Sequence, residues 1–216
     1  MKNKRNVVIG LMISLGIVYQ IYKYPEKQKK KEIVELYYKG EFEQCKKELE
    51  TYLEENPKAE GMRTFLGSVN IELYDTINAE IAYIKGLEIN PNDDRALVGL
   101  GVIARMRGEY DKAREKYYAA LKLNPTNPEA YSSLLILELK EKNYSKAVEL
   151  GEKAKRSIKP KSSLGILGNL AIAYHYNNQI TERDELINQL EEVNYKDLLY
   201  LKMILNGTIE IDELFE

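Results

Sequence analysis

Residue types that carry chemistry are scarce in this chain. Its 216 residues include one cysteine, one histidine and no tryptophan. A single cysteine cannot close an intrachain disulfide, so no disulfide framework supports the fold in any compartment. One histidine with one cysteine also excludes most zinc sites, which draw several ligands from those two residue types. There is no P-loop and no dinucleotide-binding glycine pattern. The acidic pairs Glu54-Glu55, Asp93-Asp94 and Glu191-Glu192 fall at helix ends or solvated faces and read as solubilising charge, not as acid–base pairs. His175 has no nucleophile in its sequence context. No catalytic residue, metal site or cofactor is expected, and the chain does not read as an enzyme.

Net charge is small as well, a formal −2, but the charges of each sign are unevenly placed. Residues 1–32 hold eight Lys/Arg against two Asp/Glu, and residues 33–216 hold 24 against 32. The average therefore joins a basic N-terminal piece of +6 to an acidic body of −8. Phosphate binding needs a basic track, so a nucleic-acid partner is not expected for that body. The charged and hydrophobic fractions, 31% and 44%, exclude bulk disorder.

One long apolar run exists, the 16 uncharged residues from Val7 to Tyr22. As a helix it would measure about 24 Å, short of the roughly 30 Å hydrocarbon core, and snorkelling of Arg5 and Lys23 would extend it. Tyr19, Tyr22 and Tyr24 would form an interfacial belt. Residues 1–25 are thus expected to be a single-pass N-terminal membrane anchor with basic flanks. Three basic residues precede the run and five follow it, which leans toward a cytoplasmic body but leaves the side open. The alternative is a cleaved signal peptide and a secreted protein, with Ser14-Leu15-Gly16 as the small-x-small site. The lysines from Lys27 to Lys31 would rest on anionic headgroups or serve as a stop-transfer flank.

The body repeats itself. Asn56-Pro57, Asn90-Pro91 and Asn124-Pro125 recur every 34 residues, as do Leu66-Gly67 and Leu100-Gly101. Ala79, Ala113 and Ala147 keep the same step, as do Tyr83 with Tyr117 and Tyr110 with Tyr144. Leu97, Leu100, Gly101 and Ala104 mark one face of a helix that Gly108 ends; Tyr110, Ala113, Tyr117 and Ala120 mark one face of a second. The small residues sit where helices must approach closely, and a lone pair cannot bury both faces, so pairs must stack. This pattern resembles the tetratricopeptide repeat (TPR), a helix-turn-helix unit of 34 residues. The resemblance implies an all-α fold: a right-handed TPR superhelix, or α-solenoid, of about five repeats. They are placed at 26–59, 60–93, 94–127, 128–161 and 164–197, with 198–216 as capping helix and acidic tail. Cys45 takes the alanine slot of the first repeat and is expected to be a packing residue; Arg183 takes that slot in the fifth, and Leu135 stands where Gly67 and Gly101 do. The fifth repeat follows an insertion at Ser162-Ser163.

By that resemblance, the first helix of each repeat lines a concave groove. Carried over residue by residue, the groove receives Thr64, Phe65, Ser68, Ile71 and Glu72 from the second repeat, and Arg95, Val98, Gly99, Val102, Arg105 and Met106 from the third. It receives Ser132, Ser133, Ile136, Leu139 and Lys140 from the fourth, and Asn169, Ile172, His175 and Tyr176 from the fifth. Ser68, Val102, Ile136 and Ile172 share one repeat position and make a mostly apolar floor. An apolar floor suits a helix or extended peptide with apolar anchors. The lysine and asparagine positions with which family members clamp an acidic chaperone tail are apolar or small here, Asn169 excepted. The resulting expectation is a membrane-tethered scaffold or adaptor holding a peptide or helix of a protein partner. The alternative is a self-associating structural envelope protein. A third arrangement has the N-terminal linker or the C-terminal tail filling the groove.

Overall fold

The computed structural model describes residues 26–159 and 164–211. Helix α1 covers 26–38. It is followed by α2 (Phe42–Glu55), α3 (Met62–Glu72), α4 (Thr76–Ile89), α5 (Asp94–Met106) and α6 (Tyr110–Leu123). Then come α7 (Pro128–Lys140), α8 (Tyr144–Ser157), α9 (Leu164–Tyr176), α10 (Ile180–Glu192) and the short α11 (Leu198–Leu205). No strand occurs among the described residues. Each odd helix from α3 to α9 packs on the helix before and after it, and α3, α5, α7 and α9 also pack on one another in turn. The result is a two-layer α-solenoid with the first helices of the pairs side by side. Helix α11 packs on α9 and α10 and closes the C-terminal end.

Turn chemistry explains why the helices break where they do. Within each pair the chain enters the left-handed region at one residue: Gly40, Tyr74, Gly108, Lys142 and Asn178, with φ between 58° and 75°. The next N–H then reaches back to the carbonyl five residues earlier, as in Asp75 to Asn70 (2.8 Å), Glu109 to Ala104 (2.9 Å) and Asn143 to Glu138 (2.8 Å). That bond satisfies a carbonyl the helix end leaves open. Between pairs the asparagines of the Asn-Pro steps do the turning. Asn90 Oδ1 accepts from the Asn92 N–H at 3.0 Å and Asn124 Oδ1 from the Thr126 N–H at 3.2 Å. The following helices are capped by side chains: Asp93 Oδ1 accepts from the Ala96 N–H, and Asn127 Oδ1 from the Ala130 N–H at 2.8 Å.

The core is built from the small periodic residues and what fills the space beside them. Ala79, Ala113 and Ala147 are fully buried, and so is Cys45 in the same slot. Burial pushes the Cys45 thiol up to about 11, so it remains protonated, donating to the Ile33 carbonyl at 3.3 Å. In α1, Lys29 and Glu32 stand where later repeats carry Leu97 and Leu100; Ile33 is buried, while Lys29 pairs with Glu48 of α2 and Glu32 accepts from Gln28 on the exposed face. The departure of Leu135 from the glycine pattern is matched by a second departure. Gly151 stands one repeat after Tyr117, and the space a side chain there would need is taken by Leu170, whose Cδ1 lies 2.6 Å from where a Cβ would be.

The membrane expectation does not carry over to the structure. No helix of the described residues is long and apolar enough to cross a membrane, which overturns the single-pass membrane localisation. The apolar run on which it rested, residues 7–22, lies outside the described residues, as do Ser162-Ser163 and residues 212–216 of the tail. Within the tail, Ile211 is buried in the core cluster.

One buried carboxylate ties three helices together. Glu138 on α7 is fully buried; its Oε1 accepts from Arg114 Nε on α6 and from Lys146 Nζ on α8, both at 2.9 Å, and its Oε2 from Asn143 Nδ2 at 2.9 Å. Burial alone would raise this carboxyl, but the three donors outweigh burial and hold it below the usual 4.5. A carboxyl whose folded value lies below its unfolded one stabilises fully above about 4.5 and loses that contribution as pH falls through the lower folded value. Replacing Glu138 by Gln leaves buried donors poorly matched and is expected to cost about 1–3 kcal/mol at pH 7. The gap between wild type and Glu138→Gln in urea unfolding should therefore shrink as pH falls below 4.5; a gap that is constant with pH contradicts this account.

Candidate partner-binding groove

The floor of the concave face is set by one aromatic ring. Tyr83 reaches from the second-helix layer to the gap between α3 and α5. A Cβ added at Gly67 would lie 2.5 Å from Tyr83 Cε1, and one at Gly99 would lie 2.2 Å from Tyr83 Cζ. The ring therefore fills the room left by two missing side chains, and its hydroxyl donates to Ser68 Oγ at 3.3 Å. Tyr117 repeats the arrangement against Gly101, at 2.5 Å. Beside this seat, buried Thr64 donates to buried Asp93 at 2.7 Å, so the same aspartate caps α5 and fixes it to α3.

Above the floor lies a groove of about 710 Å³, lined by Phe65, Ser68 and Ile71 of α3, Val98, Gly99 and Val102 of α5, and Ser132 and Ser133 of α7, with Tyr83 below. A second lobe of about 660 Å³ continues it and shares Ile71, Glu72 and Val102; Arg105, Met106 and Lys140 line it. Helix α1 supplies one wall. Tyr37 meets Phe65 edge-on at 5.3 Å between centroids and donates to Glu72 at 2.9 Å. Burial, then that bond to Glu72, pushes the Tyr37 phenol well above the usual range, so it remains a neutral donor.

The structure brings together eight of the fourteen residues carried over as the principal groove set: Phe65, Ser68, Ile71, Val98, Val102, Arg105, Met106 and Lys140. It does not bring the others to these lobes. Leu139 and Ile172 are 1% and 2% exposed and belong to the continuous buried cluster along α7, α9 and α11, so they are core and not floor. Ile136 is half-buried on α7. Asn169 on α9 is half-buried and donates to Ser132 at 3.4 Å. His175 accepts from Arg183 Nη1 at 3.0 Å, and Tyr176 stacks on Tyr144 at 5.3 Å. Burial, then the Arg183 charge, lowers the His175 imidazole, which is thus neutral at pH 7. The arginine in the alanine slot of the fifth repeat is accommodated by that neutral ring. The α1 wall of Val34, Tyr37 and Tyr38 went unread in the sequence; the adjacent tyrosines at a helix end were its only signal.

Comparison with known proteins agrees with this fold. Two family models match, one described as TPR repeat over residues 103–134 and one as Tetratricopeptide repeat over residues 82–115. No curated protein matches the chain by sequence. Among solved structures, PilF of Pseudomonas aeruginosa superposes with a TM-score of 0.68 at 18% identity, covering 87% of this chain and 85% of that one. MamA superposes with a TM-score of 0.53 at 20% identity, covering 78% and 92%. YrrB, described as a TPR protein with an unusual peptide-binding site, gives 0.55 at 15% identity, covering 74% and 82%. The protein has a TPR fold, an α-solenoid whose matched segments are tetratricopeptide repeats.

The glycine seat has a measurable signature. In an exposed helix, Gly→Ala is expected to stabilise by up to about 1 kcal/mol. At Gly99 the added Cβ collides with the Tyr83 ring at 2.2 Å, and overpacking of this kind costs about 1–3 kcal/mol. Gly99→Ala should therefore lower the melting temperature, while Gly165→Ala on α9, where nothing lies within 4 Å, should leave it unchanged or raise it. Equal shifts for both would remove the ring from its place under the floor.

Proposed function

We propose that this chain is a non-enzymatic interaction scaffold that holds a peptide or helix of a protein partner in its concave groove. One observation carries the proposal: two adjoining lobes share Ile71 and Val102, and their floor is made of small residues where bulky ones would fill the space. Ser68, Gly99, Ser132 and Ser133 leave room for an incoming backbone, while Phe65, Ile71 and Val102 offer apolar surface to its anchors. The peptide-binding site named for YrrB supports the reading, since that protein shares the fold. The test is site-specific photocrosslinking. A benzophenone side chain placed at Ser132, in the groove, should capture partner protein, and the same group at Ile81, 45% exposed on α4, should not. Capture from Ile81 alone would move the binding surface to the outer layer.

A second reading, self-association, is favoured by that outer layer. Ile77, Ile81 and Ile84 are 70%, 45% and 46% exposed along one helix, α4. Steps of four and three place them on a single face, and an apolar stripe of this kind marks an interaction surface. If copies of the chain associate there, sedimentation velocity will show a concentration-dependent mass that Ile81→Glu abolishes; a strict monomer at every concentration excludes it.

A further inference from the structure

The groove is not uniform in charge, and the difference specifies its guest. Helix α5 presents Gly99, Val102 and Arg105 to it at steps of three residues. At 1.5 Å per residue, Arg105 stands about 9 Å beyond Gly99. Around Gly99 the groove is small and apolar; around Arg105 it is basic, with Lys140 lining the same lobe and its ammonium 5.5 Å over the Tyr110 ring. Two further charges nearby are paired within the protein. Arg107 pairs with Glu80 at 2.6 Å, and Glu72 accepts the Tyr37 hydroxyl at 2.9 Å. Arg105 forms no ion pair with any carboxylate among the described residues, although the body carries a net charge of −8. Beneath it, the fully buried Tyr117 hydroxyl faces Arg105 and Ser133. An acidic protein that keeps a half-buried arginine without a counter-ion in an apolar groove leaves a place for an anion from outside. At the opposite end Glu60 and Glu129 line the groove, and Arg95 beside them lies 3.8 Å from buried Asp93, so the excess there is acidic and a carboxylate is disfavoured.

We propose that the groove selects an acidic peptide segment of a protein partner: an aliphatic or aromatic anchor seated over Gly99 and Val102, and a glutamate or aspartate about 9 Å further on that pairs with Arg105, the Lys140 charge assisting. This rests on the groove being the binding surface. In an extended chain rising about 3.1 Å per residue, 9 Å is three residues, and a three-residue repeat returns both side chains to the same face. Electrostatic matching of this kind fixes direction as well as partner choice, because the reversed segment would bring its carboxylate to Glu60 and Glu129.

The probe is a set of fluorescent decapeptides with a Phe or Ile anchor and Glu, Gln or Lys three residues after it, titrated by anisotropy against the full chain. The Glu peptides should bind about tenfold tighter or more than the Lys peptides. Arg105→Glu should reverse that order, and Arg105→Gln should flatten it with helical content unchanged by circular dichroism. Equal binding of Glu and Lys peptides that Val102→Asp and Ser132→Tyr both abolish would overturn the acidic selectivity and leave the groove in place. Binding that neither change disturbs, or no binding by any member of the set, would overturn the groove as the surface and the selectivity with it.

Discussion

Helices α3 and α5 are held at the distance of one aromatic ring. Tyr83 lies against the backbones of Gly67 and Gly99, and neither position has space for a methyl group unless the ring moves. Helix spacing in a solenoid is normally a compromise among many side chains. Here one residue from the outer layer fixes it, and the groove inherits the result: the floor is shallow and small because its bulk comes from below. The hydroxyl of the same tyrosine reaches Ser68 at 3.3 Å, so the ring is anchored at its tip as well as along its faces. Tyr117 against Gly101 extends the device by one repeat, and then the sizes exchange, with Leu135 in the glycine place and Gly151 in the tyrosine place. The array changes its internal volumes there without losing its packing, since Leu170 takes the room above Gly151.

Around that constraint, local rules set the helix ends. The five turns within the pairs all use a left-handed residue, yet only Gly40 and Gly108 are glycines. Tyr74, Lys142 and Asn178 adopt the same backbone because the reach-back hydrogen bond and the packing of the pair over-determine it. The conserved geometry is thus in the backbone, and the residue occupying it varies. Glu138 plays a comparable part on the other side of the array. A fully buried carboxylate is tolerable only when its oxygens are filled, and Arg114, Lys146 and Asn143 fill them from three elements.

Much of this was readable from residue spacing. Alanines, tyrosines and Asn-Pro steps 34 residues apart imply stacked helix pairs, and Leu66-Gly67 with Leu100-Gly101 marks where they approach. The groove was half readable. Of the positions carried over by resemblance, Ser68, Ile71, Val102 and Arg105 line the two lobes, because in mid-array a first helix has like neighbours on both sides. Near the C-terminal end that condition fails: α11 packs against α9, and Ile172 becomes core. Leu139 is buried for a related reason, lying in the cluster that α7 shares with its neighbours. The α1 wall was missed because Lys29 and Glu32 obscure its periodicity, while ion pairs such as Lys29 with Glu48 hold the helix in place. The membrane anchor was inferred from the apolar run at 7–22 and its basic flanks, and no helix among the described residues is long and apolar enough to cross a membrane.

The claim on which the account turns is that binding happens on the first-helix layer, over the tyrosine-filled floor. Backbone amide shift mapping on isotope-labelled protein, titrated with a groove peptide, addresses it directly. The account predicts perturbations concentrated at Ser68, Gly99, Val102 and Ser132, with the α4 residues Ile77, Ile81 and Ile84 unmoved. Perturbations confined to α4 and its outer-layer neighbours would contradict it.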